Sequence, residues 1–394
     1  MSNKERRKAP VLRFKGFTDD WEQRKFSDIA QRISTNININ LPNVTYDDID
    51  SENETLNKGI KNLSSGKKGI LFQKNDILFG KLRPYLNNII KVDFKGIAVG
   101  DFWVLRAYED SSFLFSLINT PQYKYIANIS SGSKMPRSDW NLVSKYLFCI
   151  PSEKEQSHIG NLILKLSQQI TLQQRKMNKF QSIKMAILSR IFADKGKTTL
   201  FFNDSNATWK EIKLGNIATI IRGASPRPIA DSKWFDEKSK VGWLRISDVT
   251  SQHGRIKYLE QHLSQLGEKK TRVLKTPHLL LSIAASVGYP VINYVPTGVH
   301  DGFLIFKNPQ FQLNYGFYWL QSYRNRWQKY GQPGSQVNLN SSIVENTIID
   351  LPSEAEQKKI VSLLFKVDHL ILTQKDKISS LKQVKNFLLQ NLFI

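Results

Sequence analysis

The chain has 394 residues, enough for two or three domains that each bury a hydrophobic core. Hydrophobic residues make up 40% of it and aromatic residues 11%, a composition that excludes a disordered chain. The formal net charge of +23 favours a polyanionic partner, either nucleic acid or an anionic membrane face.

A single cysteine, Cys149, excludes a disulfide framework and a cysteine-based zinc site. It lies in an apolar run, which favours a buried thiol in a reducing compartment.

The charged N-terminus is followed by no apolar segment, so we expect no signal peptide. The longest apolar run, Leu279–Ala285, has the length of a strand and is too short to span a bilayer. We therefore expect a cytoplasmic protein.

The chain contains a long internal repeat. Leu12–Ile33 aligns with Leu200–Ile221 at a constant offset of 188 residues, and Trp21 matches Trp209. A repeat of this length indicates a duplicated domain and not a solenoid. The pattern after each tryptophan predicts a short strand or helix start that docks on its domain.

Each half then shows short β-type runs set apart by turn residues, followed by helical segments. In the first half, after the polar stretch Asn53–Gly69, we predict strands at Ile70–Phe72, Asp76–Phe79, Ile89–Val92 and Phe102–Leu105, and helices at Phe113–Ile118 and Tyr123–Ile129. In the second half, we predict strands at Gly242–Ile246, Leu279–Ile283, Val291–Tyr294 and Phe303–Phe306, and a helix at Tyr315–Tyr330.

A long helical run closes each half. Pro151–Phe192 and Pro352–Phe393 align without a gap and are identical at 14 positions. Both open with Pro-Ser-Glu-x-Glu-Gln, which puts proline in the first turn and acidic residues where the helix dipole favours them. Apolar residues recur at steps of three and four, the spacing of a coiled coil. Two copies of such a helix are expected to pair with each other.

The predicted seam between the two helices also contains one aligned glutamine from each. The seam residues are Ile159, Ile163, Leu166, Ile170, Gln173, Met177 and Phe180 in the first helix, and Ile360, Leu364, Val367, Ile371, Gln374, Ile378 and Leu381 in the second. In an antiparallel pair the two glutamines would meet, and a polar residue on such a seam commonly fixes its register.

The predicted fold class is α+β. Two duplicated mixed α/β domains are joined by a pair of long antiparallel coiled-coil helices, with pseudo-two-fold symmetry. The predicted segments are a first domain at 1–150, a first long helix at 151–192, a linker at 193–208, a second domain at 209–350 and a second long helix at 351–394.

We find no catalytic or cofactor-binding motif. Gly196-Lys197-Thr198 lacks the upstream glycine of a phosphate loop and follows a helix where a strand is required. The six histidines are scattered, without the spacing of metal ligands. We therefore predict no catalytic residue, no metal and no cofactor bound by this chain.

Three features carry a resemblance to a known family: the lead-in Leu12–Glu22, the run Asp76–Leu86, and the duplicated helix openings. With them the chain resembles, over essentially its whole length, the specificity subunit of type I restriction–modification enzymes (the HsdS family). The resemblance implies two target-recognition domains that each read one half of a bipartite duplex DNA site. It also implies that the helices set the spacing between them and dock other subunits.

The resemblance further implies partners. Two modification (methyltransferase) subunits would bind S-adenosylmethionine, and motor–nuclease restriction subunits would join for cleavage. This chain would be the non-catalytic DNA-reading subunit, without a membrane partner. Leu279–Tyr289 differs from the corresponding run in the first domain, so we expect the two domains to read different sequences.

The candidate DNA contacts are polar or aromatic residues in turn-like stretches beside strands, where a rigid sheet can present them to a groove. In the first domain they are Lys81, Arg83, Tyr85, Ser133, Lys134 and Arg137. In the second domain they are Arg222, Ser225, Arg227, Ser286, Tyr289, Gln336, Asn338 and Asn340. For any single cation, a solvated surface charge is the simpler interpretation.

Two other functions stay open at this point. One is a nuclease or methyltransferase whose site carries no recognisable motif. The other is a basic coiled-coil scaffold that binds nucleic acid without sequence preference, or a membrane surface. A preference for duplex DNA with a two-part sequence would separate specific reading from charge-driven binding.

Overall fold

A computed structural model describes residues 9–129, 135–192, 209–284, 287–330 and 339–394, apart from the side chains of 328–330. The chain divides into two compact units, Met1–Met177 with Thr373–Ile394, and Asn178–Leu372. Each unit holds one mixed α+β domain and part of each long helix, which confirms the predicted fold class. The unit boundaries fall inside the two helices.

The first unit is built on two four-stranded sheets. Its strands are β1 (Glu22–Lys25), β2 (Ala30–Ile33), β3 (Asn36–Ile37), β4 (Asn43–Val44), β5 (Ile49–Asp50), β6 (Thr55–Leu56), β7 (Gly69–Phe72), β8 (Ile77–Gly80), β9 (Ile89–Lys91), β10 (Gly96–Ala98), β11 (Phe102–Ala107) and β12 (Leu147–Ile150). Its helices are α1 (Ser111–Ile118), α2 (Pro121–Asn128), α3 (Trp140–Lys145) and the first part of α4 (Glu153–Ile191). The sheet orders are β2-β11-β8-β9 and β3-β7-β10-β4, and β1 pairs with β12 in a separate ribbon.

Strand β11 is buried on both faces. Trp103 and Leu105 belong to the core that also contains helices α1 and α2. Phe102 and Val104 belong to a second core, which includes Phe72 from the other sheet. Successive side chains of a strand point to opposite faces, so a strand covered on both sides is apolar throughout. This explains the continuous apolar run in the sequence.

The second unit repeats this plan. Its strands are β13 (Lys210–Lys213), β14 (Thr219–Arg222), β15 (Gly242–Leu244), β16 (Arg255–Ile256), β17 (Arg272–Leu274), β18 (Leu279–Ser282), β19 (Pro290–Asn293), β20 (Thr297–Val299), β21 (Phe303–Lys307) and β22 (Ile348–Leu351). Its helices are α5 (Leu214–Ile217), α6 (Ile246–Ser251), α7 (Gln265–Lys269), α8 (Leu313–Tyr323), α9 (Ser341–Glu345) and the first part of α10 (Glu354–Asn391). The sheet orders are β14-β21-β18-β19-β16 and β15-β20-β17, with β13 pairing with β22. Strand β21 thus lies between β14 and β18, as β11 lies between β2 and β8.

Two predicted elements of the second unit end two or more residues early. The predicted strand Gly242–Ile246 stops at Leu244, because the Asp248 carboxylate accepts a hydrogen bond from the Arg245 N–H at 2.9 Å and starts α6. The predicted helix Tyr315–Tyr330 is α-helical only to Tyr323 and continues as a 3-10 helix, Arg324–Tyr330.

Within each unit, the start of one long helix lies beside the end of the other. In the first unit, Ile159 near the start of α4 shares a core with Leu389 and Leu392 near the end of α10. In the second unit, Leu188 near the end of α4 shares a core with Ile360 near the start of α10. This is the arrangement of antiparallel helices. None of the described helices is long and apolar enough to cross a membrane.

The fourteen predicted seam residues are all buried or half-buried. Gln173 is buried, and the side-chain oxygen of Gln374 is buried without a hydrogen-bond partner among the described residues. No described hydrogen bond joins the two glutamines. Their meeting on the seam stays a prediction.

The glutamine of the repeated Pro-Ser-Glu-x-Glu-Gln motif fastens each helix start to its domain. The amides of Gln156 and Gln357 are buried and donate to the carbonyls of Pro151 and Pro352, at 3.1 and 3.0 Å. Gln156 also donates to Glu109 of its domain. Gln357 accepts a hydrogen bond from the backbone N–H that precedes α8, at 2.9 Å. A buried amide bonded on both sides fixes where each helix begins.

The glutamates of the two motifs have different partners. Glu155 is buried and receives two hydrogen bonds from the Arg13 guanidinium, at 2.7 and 2.8 Å. Glu356 accepts the Ser353 hydroxyl at 2.9 Å and caps its own helix. The first helix start therefore also anchors the lead-in segment.

A further contact holds the second domain to α10. The Arg255 guanidinium lies 4.5 Å from the ring centres of both Phe317, in α8, and Phe365, in α10. Nearby, the Tyr318 hydroxyl donates to Asp368 of α10 at 2.6 Å, and Asp368 pairs with Lys184 of α4 at the same distance. Domain and helices of the second unit are thus joined by charged and aromatic contacts as well as by apolar packing.

We expect Gln156→Ala to lower the free energy of unfolding by about 1–3 kcal/mol, because it removes the side-chain donor from the buried Pro151 carbonyl. Gln169→Ala, on an exposed position of the same helix, is the matched control and should change stability by less than about 0.5 kcal/mol. Urea denaturation measures both. Equal shifts of the two variants would contradict the assigned role.

Candidate DNA interfaces

In the first unit, cations predicted from two separate stretches meet at one carboxylate. Asp101 lies just before β11. Its side chain is 2.9 Å from Nη2 of Arg137 and 3.7 Å from Nζ of Lys81. Gly80 pairs with Phe102 across the sheet, so Lys81 lies opposite Asp101. We call Lys81, Arg137 and Asp101 the first cationic cluster.

Backbone hydrogen bonds hold this cluster in place. The Lys81 N–H donates to the Asp101 carbonyl at 2.9 Å, and the Tyr46 hydroxyl donates to the same carbonyl at 2.7 Å. Burial raises the pKa of Tyr46 to about 12, so the hydroxyl keeps its proton at neutral pH. Two hydrogen bonds that do not involve the cationic side chains therefore hold the Asp101 carbonyl.

The loop after β8 is joined to the segment that contains Arg137. Leu82 forms a β-bridge with Arg137, and the Arg83 N–H donates to the Pro136 carbonyl at 2.7 Å. Arg83 has a left-handed backbone, with φ of 49°, and is exposed where the chain turns into Pro84–Leu86. Tyr85 in that turn is 52% exposed.

Four of the six candidates in the first domain therefore share one surface region. Lys81, Arg83 and Tyr85 come from the loop after β8, and Arg137 comes from the segment bonded to it. Ser133 and Lys134 lie outside the described residues.

In the second unit, an aspartate at the entry of β21 has the same role. Arg227 Nη2 lies 2.6 Å from one carboxylate oxygen of Asp301, and the Ser225 hydroxyl donates to the other at 2.9 Å. Arg222 Nε donates to the Asp301 carbonyl at 2.6 Å. We call Arg222, Ser225, Arg227 and Asp301 the second cationic cluster.

A glycine brings the loop of this cluster close to the aspartate. A Cβ at Gly223 would collide with the carbonyl oxygen of His300. The Gly223 N–H donates to the Phe303 carbonyl at 2.8 Å, and the next N–H donates to Val299 at 3.0 Å. The stretch after β14 therefore lies directly on the turn that carries Asp301.

The charge state of the second cluster follows from its contacts. Partial burial raises the pKa of Asp301, but the Ser225 hydrogen bond and the neighbouring arginines outweigh it, and the pKa lies below its usual value. Burial lowers the pKa of His300, whose Nδ1 accepts a hydrogen bond from the Gly302 N–H at 2.8 Å. At neutral pH the aspartate is ionised and the histidine is neutral, so the arginines supply the positive charge.

Tyr289 lies under an arginine that the sequence did not single out. The Arg324 guanidinium is 3.5 Å from the centre of the Tyr289 ring, a cation–π contact. The Ile283 N–H donates to the Gly302 carbonyl at 2.8 Å, so the loop between β18 and β19 borders the Asp301 turn. Arg324 opens the 3-10 helix after α8, and in the sequence it lay inside the predicted aromatic helix Tyr315–Tyr330, which gave no signal of this contact. Ser286, in the same loop, lies outside the described residues.

Asn340 has a structural role that its sequence position did not reveal. Its side chain accepts a hydrogen bond from the Ile343 N–H at 2.9 Å and caps α9. Asp139 caps α3 in the same way and lies equally far before its long-helix proline. The cap is therefore a repeated feature of both domains. Gln336 and Asn338, the other candidates of this stretch, lie outside the described residues.

We expect Asn340→Ala to lower the free energy of unfolding by about 1 kcal/mol, because the first turn of α9 loses its cap. Asn340→Asp should keep wild-type stability, since aspartate caps as well as asparagine. Asp139→Ala is the matched variant in the first unit and should lose a similar amount. Equal stability of the Asn340→Ala and Asn340→Asp proteins, measured by urea denaturation, would contradict the cap. Weaker DNA binding by the Asn340→Asp protein, at unchanged stability, would indicate that Asn340 also contacts DNA.

The two aspartates are candidate site residues that sequence reasoning missed. Each stands at the entry of the central aromatic strand, in Gly100-Asp101-Phe102 and in Asp301-Gly302-Phe303. Such a position is typical of an ordinary turn residue. Within the described ranges, no three His, Cys, Asp or Glu residues come together as metal ligands.

Comparison with known proteins finds a similar family for the second half of the chain. Residues 206–383, which contain the second cationic cluster, match the family described as type I restriction modification DNA specificity domain. Over these residues the chain is similar to that family. The resemblance to type I specificity subunits that the sequence predicted is therefore confirmed.

Solved structures extend the likeness in fold to nearly the whole chain. One, described as the structural basis underlying complex assembly and conformational transition of the type I R-M system, is 18% identical with a TM-score of 0.60. The alignment covers 94% of this chain and 96% of that one. The S subunit of a type I restriction–modification system from M. genitalium is 13% identical with a TM-score of 0.63, and the coverage is 98% and 99%. At these identities the specificity-subunit fold is what is shared.

Proposed function

We propose that this chain is the DNA-specificity subunit of a type I restriction–modification complex, and that each domain reads one half of a bipartite duplex site. The observation that carries the proposal is the recurrence of one arrangement in both units. In each, cationic or hydroxyl-bearing side chains from loops gather at an aspartate at the entry of an inner strand of a sheet.

The chemistry of the two clusters suits DNA. Lysine and arginine neutralise backbone phosphates, which supplies affinity. An arginine can also form paired hydrogen bonds with a guanine edge in the major groove. Arg137 and Arg227 are 54% and 71% exposed, so their free donors are accessible. Both project from loops backed by a sheet, which limits the entropy lost on binding.

The side chains around the two aspartates differ. A lysine and an arginine flank Asp101, whereas two arginines and a serine flank Asp301. Specificity comes from the side chains that reach the base edges. The two domains therefore read different half-sites.

The long helices set the spacing and dock the partner subunits. They expose large apolar side chains, which support a protein-binding surface. These side chains are Leu172, Ile183 and Met185 on α4, and Leu370, Leu372, Val384 and Phe387 on α10. The partners are two methyltransferase subunits, which bind S-adenosylmethionine, and motor–nuclease subunits. This chain acts as their non-catalytic DNA reader in the cytoplasm.

The test is the methylation pattern left in DNA when the chain is expressed with its methyltransferase subunit. We expect a split motif, because two separate domains read it. Exchange of residues 12–150 for another such domain should change one half of the motif only. A continuous motif, or an unchanged one, would contradict the proposal in favour of a scaffold without sequence preference.

At the level of single residues, Arg227→Ala should weaken binding of the matched duplex by about 1–3 kcal/mol. Lys307→Ala is the control, because Lys307 is an exposed cation at the opposite end of β21 from Asp301. It should have little effect on Kd. Equal losses in the two variants, measured by fluorescence anisotropy, would mean that general charge and not the cluster drives binding.

A further inference from the structure

The chain carries a net charge of +23, yet each cluster contains an aspartate among its cations. A carboxylate at a DNA interface repels phosphates and therefore costs affinity. Asp101 and Asp301 are 31% and 24% exposed, so neither is a buried core residue. Their presence calls for a role other than strong binding.

The turn that contains Asp301 does not need the Asp301 carboxylate for its stability. The backbone already holds that turn, since the Phe303 N–H donates to the His300 carbonyl at 3.1 Å and Phe303 accepts from Gly223. The carboxylate oxygens of Asp301 face Ser225 and Arg227, which come from a loop more than 70 residues earlier in the chain. The carboxylate also lies 3.1 Å from Nδ1 of the neighbouring His300, but its hydrogen-bond donors come from the distant loop that carries Arg227.

The first unit has the same arrangement of an aspartate beside cations, but it builds that arrangement from different chain segments. The glycine precedes Asp101 but follows Asp301, so the two turns differ in sequence. Arg137 comes from the segment between α2 and α3, after most strands of its domain, whereas Arg227 comes from a loop before most of its strands. A shared charge arrangement on two different loop architectures indicates a requirement of the interface.

We propose that Asp101 and Asp301 are positioning residues that enforce discrimination: each holds its arginine in a fixed orientation and competes with DNA phosphates for it. This inference rests on the proposed function. A guanidinium carries five N–H donors in a planar fork. With Nη2 bound to Asp301, the remaining donors of Arg227 stay oriented towards a partner.

Competition makes the effect selective. On a non-matching duplex, Arg227 gains a phosphate only if it gives up Asp301 or tolerates a second negative charge nearby. On a matching duplex, hydrogen bonds to the base edge form with the free donors while the Asp301 pair stays intact. The carboxylate thus weakens non-specific binding more than specific binding.

The test uses Asp301→Asn in the full chain, which removes the charge and keeps the size and an acceptor for Ser225. The probes are a duplex with the split motif found by methylation mapping and the same duplex with the second half-site scrambled. Kd is measured for both at several salt concentrations. We expect the variant to bind the scrambled duplex roughly five- to tenfold more tightly, with a salt slope steeper by about one, because Arg227 is free to take a phosphate. The ratio of matched to scrambled affinity should fall.

Two variants serve as controls. Glu260→Gln removes one negative charge from the same domain and one arginine ion pair, that of Arg245 at 2.9 Å, and should leave the ratio unchanged. Asp301→Glu keeps the charge and should keep the wild-type salt slope. Asp101→Asn should relax discrimination only at the other half-site.

The outcomes separate the two proposals. Wild-type protein that binds all duplexes equally would contradict the proposed function, and this inference with it. Wild-type discrimination with an unchanged ratio and slope in Asp301→Asn would overturn this inference alone. A parallel loss of binding to both duplexes would also overturn it, since that is the result of a merely structural aspartate.

Discussion

The architecture depends on the burial of the ends of the long helices in the domain cores. An isolated helix with a narrow apolar stripe gains little stability from its own hydrogen bonds and needs packing of its apolar face. Ile159 and Ile163 supply that packing for α4 by joining the core of the first domain, and Ile360 and Leu364 do so for α10 in the second. The buried glutamine of each repeated motif then fixes where the helix starts. Within each unit, a domain and its helix are therefore one packed body.

Burial within each domain also determines where its candidate interface lies. The central strand of each domain is covered on both faces, so it is among the most firmly held elements of its unit. The residues just before it are consequently fixed as well. Asp101 lies directly before β11, and Asp301 lies two residues before β21. Each aspartate orients cationic side chains that come from longer loops. A solvated surface charge has no such fixed partner. Rigid support and exposed donors are the combination that selective recognition of a polyanion requires.

Much of the fold could be predicted from local sequence patterns. Apolar spacing along the helices and the alternation of apolar runs with turn residues are properties of neighbouring positions, so the α+β domains and the long helices were predictable. Asn340 shows the limit of that reasoning. A polar residue in a variable-looking stretch has the same sequence signature whether it caps a helix or contacts DNA, and only the Ile343 N–H beside it distinguishes the two. Arg324 was missed because its partner, Tyr289, is distant in sequence.

By itself, the sequence determined the duplication, the excess of positive charge, the two domains with their long helices, and the loops that hold most of the candidate cations. These features depend on composition and short-range spacing. The tertiary structure decided which candidates meet. Lys81 and Arg137 converge on Asp101 because strand register and a β-bridge bring distant segments together, and Arg227 reaches Asp301 because Gly223 lets two loops touch. A carboxylate in a turn becomes the centre of a cationic cluster only when the chain around it has folded.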